Sequence, residues 1–184
     1  MDSGETSYCR YISGDDEGLV EIIRDYKDGL ILYINGITGN ISLAEEVMEE
    51  TFFKIAVKKP VFKGKSSFKT WLYSIARNSA IDEMRKNSRF SSFSIDDYKH
   101  IADEENVENE YIKEEQKIIL HKALNNLIPD YRQILYLTYF EDFSVGEAAV
   151  IMKKNKKQIS NLLYRAKQAL RNELEKGGFV YEKL

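Results

Sequence analysis

Outside one acidic stretch, apolar residues return at three- and four-residue steps along most of the chain, and no run of any length alternates them with polar residues. That period lines side chains up on one face of a helix, whereas a half-buried strand needs a period of two. The pattern therefore predicts an all-α chain. Between Asp15 and Asn35, Leu19, Ile22, Ile23, Tyr26, Leu30 and Tyr33 build the first such stripe. Breakers are scarce, with 2 prolines and 10 glycines in 184 residues, which argues against a turn-rich sandwich or barrel.

Gly36, Gly39 and Asn40 end the first stripe. Ser42 suits the N-cap of a second helix, with Glu45 at capping-box spacing, and Pro60 lies beyond its end. A basic loop, Val61 to Lys65, precedes a third helix that Ser66 or Ser67 caps and that runs to about Lys86. From Asn87 the chain turns serine-rich and then acidic without apolar period, as a tether does. Helical periodicity resumes near Glu110. Pro129 fits a first helical turn, and Ser144 caps a short helix holding Ala148, Ala149, Ile151 and Met152. A basic turn, Lys153 to Lys157, leads into a last helix from about Gln158 to Lys176, closed by Gly177 and Gly178. The expected architecture is two small helical domains, residues 1–87 and 110–184, joined by an acidic linker, residues 88–109.

Several classes are excluded. One cysteine, Cys9, forms no intramolecular disulfide framework, and no Cys/His cluster has zinc spacing, so no metal and no cofactor is expected. His100 and His121 share no motif, and no nucleotide loop or nucleophile triad is visible, so an enzyme is not expected. The N-terminus is polar and acidic, without a basic-then-apolar leader, and the run from Leu30 to Ile34 is too short to span a bilayer. A soluble, cytoplasmic protein without membrane insertion is expected.

The formal net charge of −3 conceals a segregation. From Lys54 to Arg89 the only acids are Asp82 and Glu83 among ten basic residues, and Lys153 to Lys176 is similarly basic. Two basic surfaces, one per domain, fit two contacts with one polyanion.

The motifs sharpen this. Ser144 to Met152 and the helix from Gln158 read as a helix-turn-helix, which presents the start of its second helix to base edges in the major groove. Gln158, Ser160, Asn161, Tyr164 and Arg165 are the candidate readers, and Lys154, Lys156, Lys157 and Lys167 the candidate phosphate contacts. The segment FKGKSSFKTWLYSIARN, from Phe62, interleaves aromatics with bases, as single-stranded nucleic acid requires: rings stack on bases and cations follow the backbone. Phe68 and Trp71 equally fit a plain core role.

FKGKSSFKTWLYSIARNSAIDEMRK resembles the promoter-melting segment of the extracytoplasmic-function subfamily of sigma-70-type RNA polymerase sigma factors. LAEEVMEETFFKIAVKK, from Leu43, is similar to the helix that in this family docks on the polymerase clamp coiled coil. The segment from Leu127 to Leu174 resembles the family's domain four, which reads the minus-thirty-five element. The resemblance implies that residues 1–87 form sigma domain two and 110–184 sigma domain four, with no third domain between. It implies that the loop Phe62, Lys63, Gly64, Lys65, Ser66 and Ser67 captures an unstacked minus-ten base. Lys69, Trp71, Tyr73, Arg77, Asn78 and Arg85 would serve the strand or its upstream duplex. Glu45, Glu46, Glu49 and Phe52 would meet polymerase. The implied partners are core polymerase, through its clamp coiled coil and flap, promoter DNA both duplex and melted, and an anti-sigma factor, which is common in the family. Lys153 and Lys157 stand where the family has glycines. The alternative is a helix-turn-helix regulator that binds duplex DNA without polymerase. It leaves the Glu45 helix and the Lys63 to Asn78 segment idle. The acidic linker could fold against the basic faces, so the free protein is expected to bind duplex promoter DNA weakly.

Overall fold

The computed structural model describes residues 3–90 and 119–177, and every described element is helical. The acidic linker and the start of the second helical block near Glu110 lie outside the described residues.

The first domain comprises α1 (Ser3–Ile12), α2 (Glu17–Thr38), α3 (Ile41–Lys58) and α4 (Phe68–Phe90). Its core follows the predicted stripes. Ile22, Leu30, Tyr33, Ile34 and Ile37 of α2 meet Ala44, Val47, Phe52 and Ile55 of α3 and Phe68, Leu72, Ala76 and Ala80 of α4, all buried. Gly39, at φ 68°, ends α2 in the left-handed conformation that glycine adopts without steric cost. Asn40 then caps α3, its side-chain oxygen accepting the Leu43 amide at 3.0 Å. The helix thus starts ahead of the expected Ser42 cap, because Asn40 leaves the turn already extended and asparagine caps as well as serine. Ser67 accepts the Thr70 amide at the start of α4, as expected, and α4 continues to Phe90, past Lys86.

Helix α1 lies in the polar, acidic terminus, where the sequence pattern identifies no helix. Only Tyr8 and Tyr11 supply large apolar surface, too few for a periodic signal. Both insert: the Tyr8 hydroxyl donates to the Pro60 carbonyl at 2.6 Å and the Tyr11 hydroxyl to the Ala56 carbonyl at 2.8 Å. Gly18 lets α2 run against the α1 backbone, since any Cβ there would collide with the Ser7 carbonyl.

The second domain holds α5 (described from residue 119 to 125), α6 (Pro129–Leu135), α7 (Val145–Met152) and α8 (Lys156–Lys176). Pro129 occupies the first turn of α6. Ser144 and Glu147 form a capping box on α7, and Asn155 and Gln158 another on α8, which moves the start of that helix back from Gln158 to Lys156. Between α6 and α7, Tyr136–Phe140 widens into a π-helical turn. The chain leaves it through Asp142 at φ 55°, so Glu141 and Phe143 project away from their own domain.

They project onto the first domain. α7 packs on α4, and α6 with the π turn packs on α2, joining both domains into one buried cluster.

Candidate nucleic-acid and polymerase interfaces

Lys69, Tyr73 and Arg77 lie at successive turns of α4, on one face, and the second domain covers that face. The Lys69 ammonium pairs with the Glu141 carboxylate at 2.9 Å and lies 4.8 Å from the centre of the Phe143 ring. The Tyr73 ring meets Phe143 edge-on at 5.0 Å and is only 1% exposed. Burial and the adjacent Glu141 carboxylate push its hydroxyl far above the usual tyrosine range. Arg77 Nε donates to the Gln133 side-chain oxygen at 3.1 Å.

The capping carboxylate of α7 reaches the same face: Glu147 accepts from Thr70 at 3.2 Å and from Ser67 at 3.4 Å. Burial opposes its ionisation, yet the hydrogen bonds from Ser144, Thr70 and Ser67 outweigh that and hold its carboxyl below the usual range. Arg132 completes the contact by donating Nε to the Gly36 carbonyl at 2.9 Å.

The loop before α4 divides in two. Lys63, Gly64 and Lys65 form an exposed tip, and Gly64 at φ 61° makes the turn. Phe62 lies half-buried against Trp71 at 5.3 Å and Phe68 at 5.8 Å, and Tyr8 closes the cluster at 5.3 Å from Trp71. The aromatics thus form the floor of the loop, with Phe68 wholly buried and Trp71 half-exposed. Ser66 and Asn78 are half-buried, and Arg85 is exposed beside Asp82 at 3.8 Å.

On α3, Glu45, Glu46 and Glu49 are exposed, but Phe52 is in the core at 6% exposure. This corrects its assignment to the polymerase contact. Helical phase places residues 44, 47, 51, 52 and 55 on the buried stripe and hands the outer face to Phe53, at 63% exposure, and Val57, at 61%. Phe53 and Val57 extend the Glu49 row at four-residue steps, a signal available in the sequence.

In the second domain the candidate readers stay open. Lys156, Lys157, Gln158, Ser160, Asn161, Tyr164, Arg165 and Lys167 are all exposed on α8, with Tyr164 at 66%. Lys154 is half-buried and paired with Asp130 at 3.3 Å, and Lys167 reaches over the Tyr139 ring at 5.2 Å. A shallow hollow of about 390 Å³ between α6 and α8 runs from Tyr131 and Leu162 to Arg165. Lys153, standing where the resemblance leads one to expect glycine, takes φ 54° and ψ 44° and keeps the left-handed turn. No helix among the described residues is long and apolar enough to cross a membrane.

Comparison with known proteins agrees with this layout. Residues 22–90 match the family model of sigma-70 region 2, and residues 117–170 match that of sigma-70 region 4. The chain is 28% identical over 157 residues to the ECF RNA polymerase sigma factor SigM of Bacillus subtilis (strain 168), covering 85% of this chain and 95% of that protein. To SigW of the same organism it is 26% identical over 170 residues, covering 88% and 91%. Its fold is like that of CnrH in complex with the cytosolic domain of CnrY, at a TM-score of 0.67 and 17% identity over 95% of this chain and 98% of that one. It is also like the sigma factor RpoE in complex with the anti-sigma factor NepR from Bartonella quintana, at a TM-score of 0.66 and 24% identity over 84% and 95%. With both regions present in order and the helix-turn-helix in the second, the chain belongs to the extracytoplasmic-function subfamily of sigma-70-type RNA polymerase sigma factors.

Proposed function

We propose that this chain directs core RNA polymerase to specific promoters and opens them through a division of labour between its domains. The observation that carries this reading is the pairing of two separate basic nucleic-acid faces with an acidic, partly apolar helix that suits neither. The row of Glu45, Glu46 and Glu49 beside exposed Phe53 and Val57 repels phosphates and fits a protein partner, the polymerase clamp. A second polymerase contact, to the flap, falls to the second domain.

In the second domain, α8 enters the major groove of the minus-thirty-five element. Arg165, Asn161 and Gln158 face base edges, while Lys156 and Lys157 at the helix start meet phosphates. In the first domain, the loop from Phe62 to Ser67 receives a base of the minus-ten element. Extruding a base costs a few kcal/mol, which stacking and the loop's lysines offset. The working units are residues 1–87 and 110–184, with the acidic stretch 88–109 as tether. The protein acts as a stoichiometric initiation factor in the cytoplasm, without cofactor or catalysis of its own. A partner of the anti-sigma class is proposed on the strength of the family.

Run-off transcription with purified core polymerase on a pool of host promoter fragments tests this. New discrete transcripts that depend on the protein are expected. No such transcripts and no co-purification with core polymerase would move the weight to a duplex-binding regulator.

A further inference from the structure

Among the described residues, the loop 60–66 takes part in no backbone-to-backbone hydrogen bond, so the side chains that meet it set its course. The Ser67 cap of α4 fixes its far end. Its near end is held from α1, which lies outside the residues matched to sigma-70 region 2. Ala56 lies in the last turn of α3, and the residue four positions on, whose amide would normally bond its carbonyl, is Pro60, which has none. The Tyr11 hydroxyl donates to that carbonyl instead, at 2.8 Å. Lys59 then turns the chain out of α3 at φ 41° and ψ 55°, a left-handed conformation that favours glycine, and its ammonium lies 4.5 Å from the centre of the Tyr11 ring. One residue on, the Tyr8 hydroxyl donates to the Pro60 carbonyl at 2.6 Å.

The Tyr8 ring also carries the loop's aromatic floor. It lies 5.4 Å from Phe68 and 5.3 Å from Trp71, the same two rings on which Phe62 rests. Gly4 allows this approach, since a Cβ there would come within 2.5 Å of the Phe68 ring. Tyr8 and Tyr11 are buried, and phenylalanine would fill the same space. What tyrosine adds at each position is a hydroxyl, and both hydroxyls end on carbonyls at the entry to the loop.

We propose that α1 sets the geometry of the base-receiving loop, with Tyr8 as a specificity-determining positioning residue and Tyr11 as its support. Neither touches the captured base. Tyr8 holds the loop's entry and floor in one place, so that the exposed tip from Lys63 to Lys65 meets the strand already shaped for one base. What the loop receives rests on the sigma-factor reading above. The anchoring of the loop by α1 rests on the geometry alone.

Tyr8→Phe in the full chain keeps the ring and removes the bond to Pro60. Trypsin cleavage after Lys63 and Lys65, read by mass spectrometry on the free protein, reports how often the loop opens and needs no promoter. Cleavage there should quicken about fivefold, the factor that one ordinary hydrogen bond is worth, and further in the double variant Tyr8→Phe, Tyr11→Phe. Unchanged cleavage in both variants would overturn the anchoring. With core polymerase, open-complex formation is then compared on promoters that carry the preferred minus-ten base or a substitute. Tyr8→Phe should lower the ratio of the two rates about fivefold while affinity for core polymerase stays at the wild-type value. An unchanged ratio, or a loss shared equally by both promoters and by polymerase affinity, would overturn the specificity role, since a merely structural tyrosine predicts that uniform loss. If the wild-type protein directs no transcript, the sigma-factor reading falls and the base-specificity role falls with it, whereas quickened cleavage in the variants still upholds the anchor.

Discussion

The Lys69 ammonium donates to two oxygens of a single residue, the side-chain carboxylate of Glu141 at 2.9 Å and its backbone carbonyl at 2.8 Å. The partners are 72 residues apart and belong to different domains. Their side chains are 32% and 14% exposed, so water screens the pair less than an ordinary surface pair. A double-mutant cycle with Lys69→Met and Glu141→Gln, read by urea unfolding, should return a coupling of about 1 kcal/mol. A value near zero would mean that side-chain ordering cancels the attraction.

Arg165→Ala should weaken minus-thirty-five contact by about 1–3 kcal/mol if the guanidinium reads a base. The residue is exposed on α8, clear of the interdomain contact. Binding of holoenzyme to wild-type and base-substituted promoters checks this. Uniform weakening across sequences would reassign Arg165 to a phosphate.

Lys153→Gly should stabilise the second domain by about 0.5–1 kcal/mol. A left-handed non-glycine residue carries about 1–2 kcal/mol of steric cost, part of which glycine returns as chain entropy in the unfolded state. Lys153 takes this conformation at φ 54°. Thermal unfolding of the full chain measures the shift, and a lowered midpoint would show that the lysine side chain stabilises the turn by other means.

Stability should fall on the alkaline side. Burial, with the neighbouring Tyr11, pushes Tyr8 up to about 12, and burial pushes Tyr33 and Tyr73 higher. Unfolded, these hydroxyls ionise near about pH 10. The folded state holds the protons longer, so this contribution is complete below about pH 10 and is lost as pH rises through the folded values. Of the 12 tyrosines, the buried ones should ionise only together with loss of helix. Parallel ultraviolet absorbance and circular dichroism titrations test this, and ionisation of every tyrosine before any helix is lost would contradict it.

Local signals were legible wherever neighbouring residues decide the outcome. Pro129, the Ser144 cap and the Ser67 cap act within one helical turn, and the structure keeps each of them. Asn40 displaced Ser42 because two good caps stood close together, and the left-handed Gly39 selects between them by aiming the chain. Phe52 and Phe53 are adjacent and equally apolar, and a one-residue shift in helical phase decides which is core. Helix α1 escaped notice because two tyrosines form its anchor and their acceptors, the carbonyls of Ala56 and Pro60, lie more than forty residues away.

By itself the sequence determined the helices after α1, their order, the charge segregation and the helix-turn-helix, because apolar period, caps and charge act over a few residues. Only the tertiary structure decided which basic face is covered. Lys69 and Arg77 look as available in the sequence as Lys157 and Arg165. Their burial depends on Glu141, Phe143 and Gln133, which the π turn and the α6 packing bring across from the far side of the chain. Long-range packing has no local signature, since its energy belongs to pairs of surfaces rather than to either one.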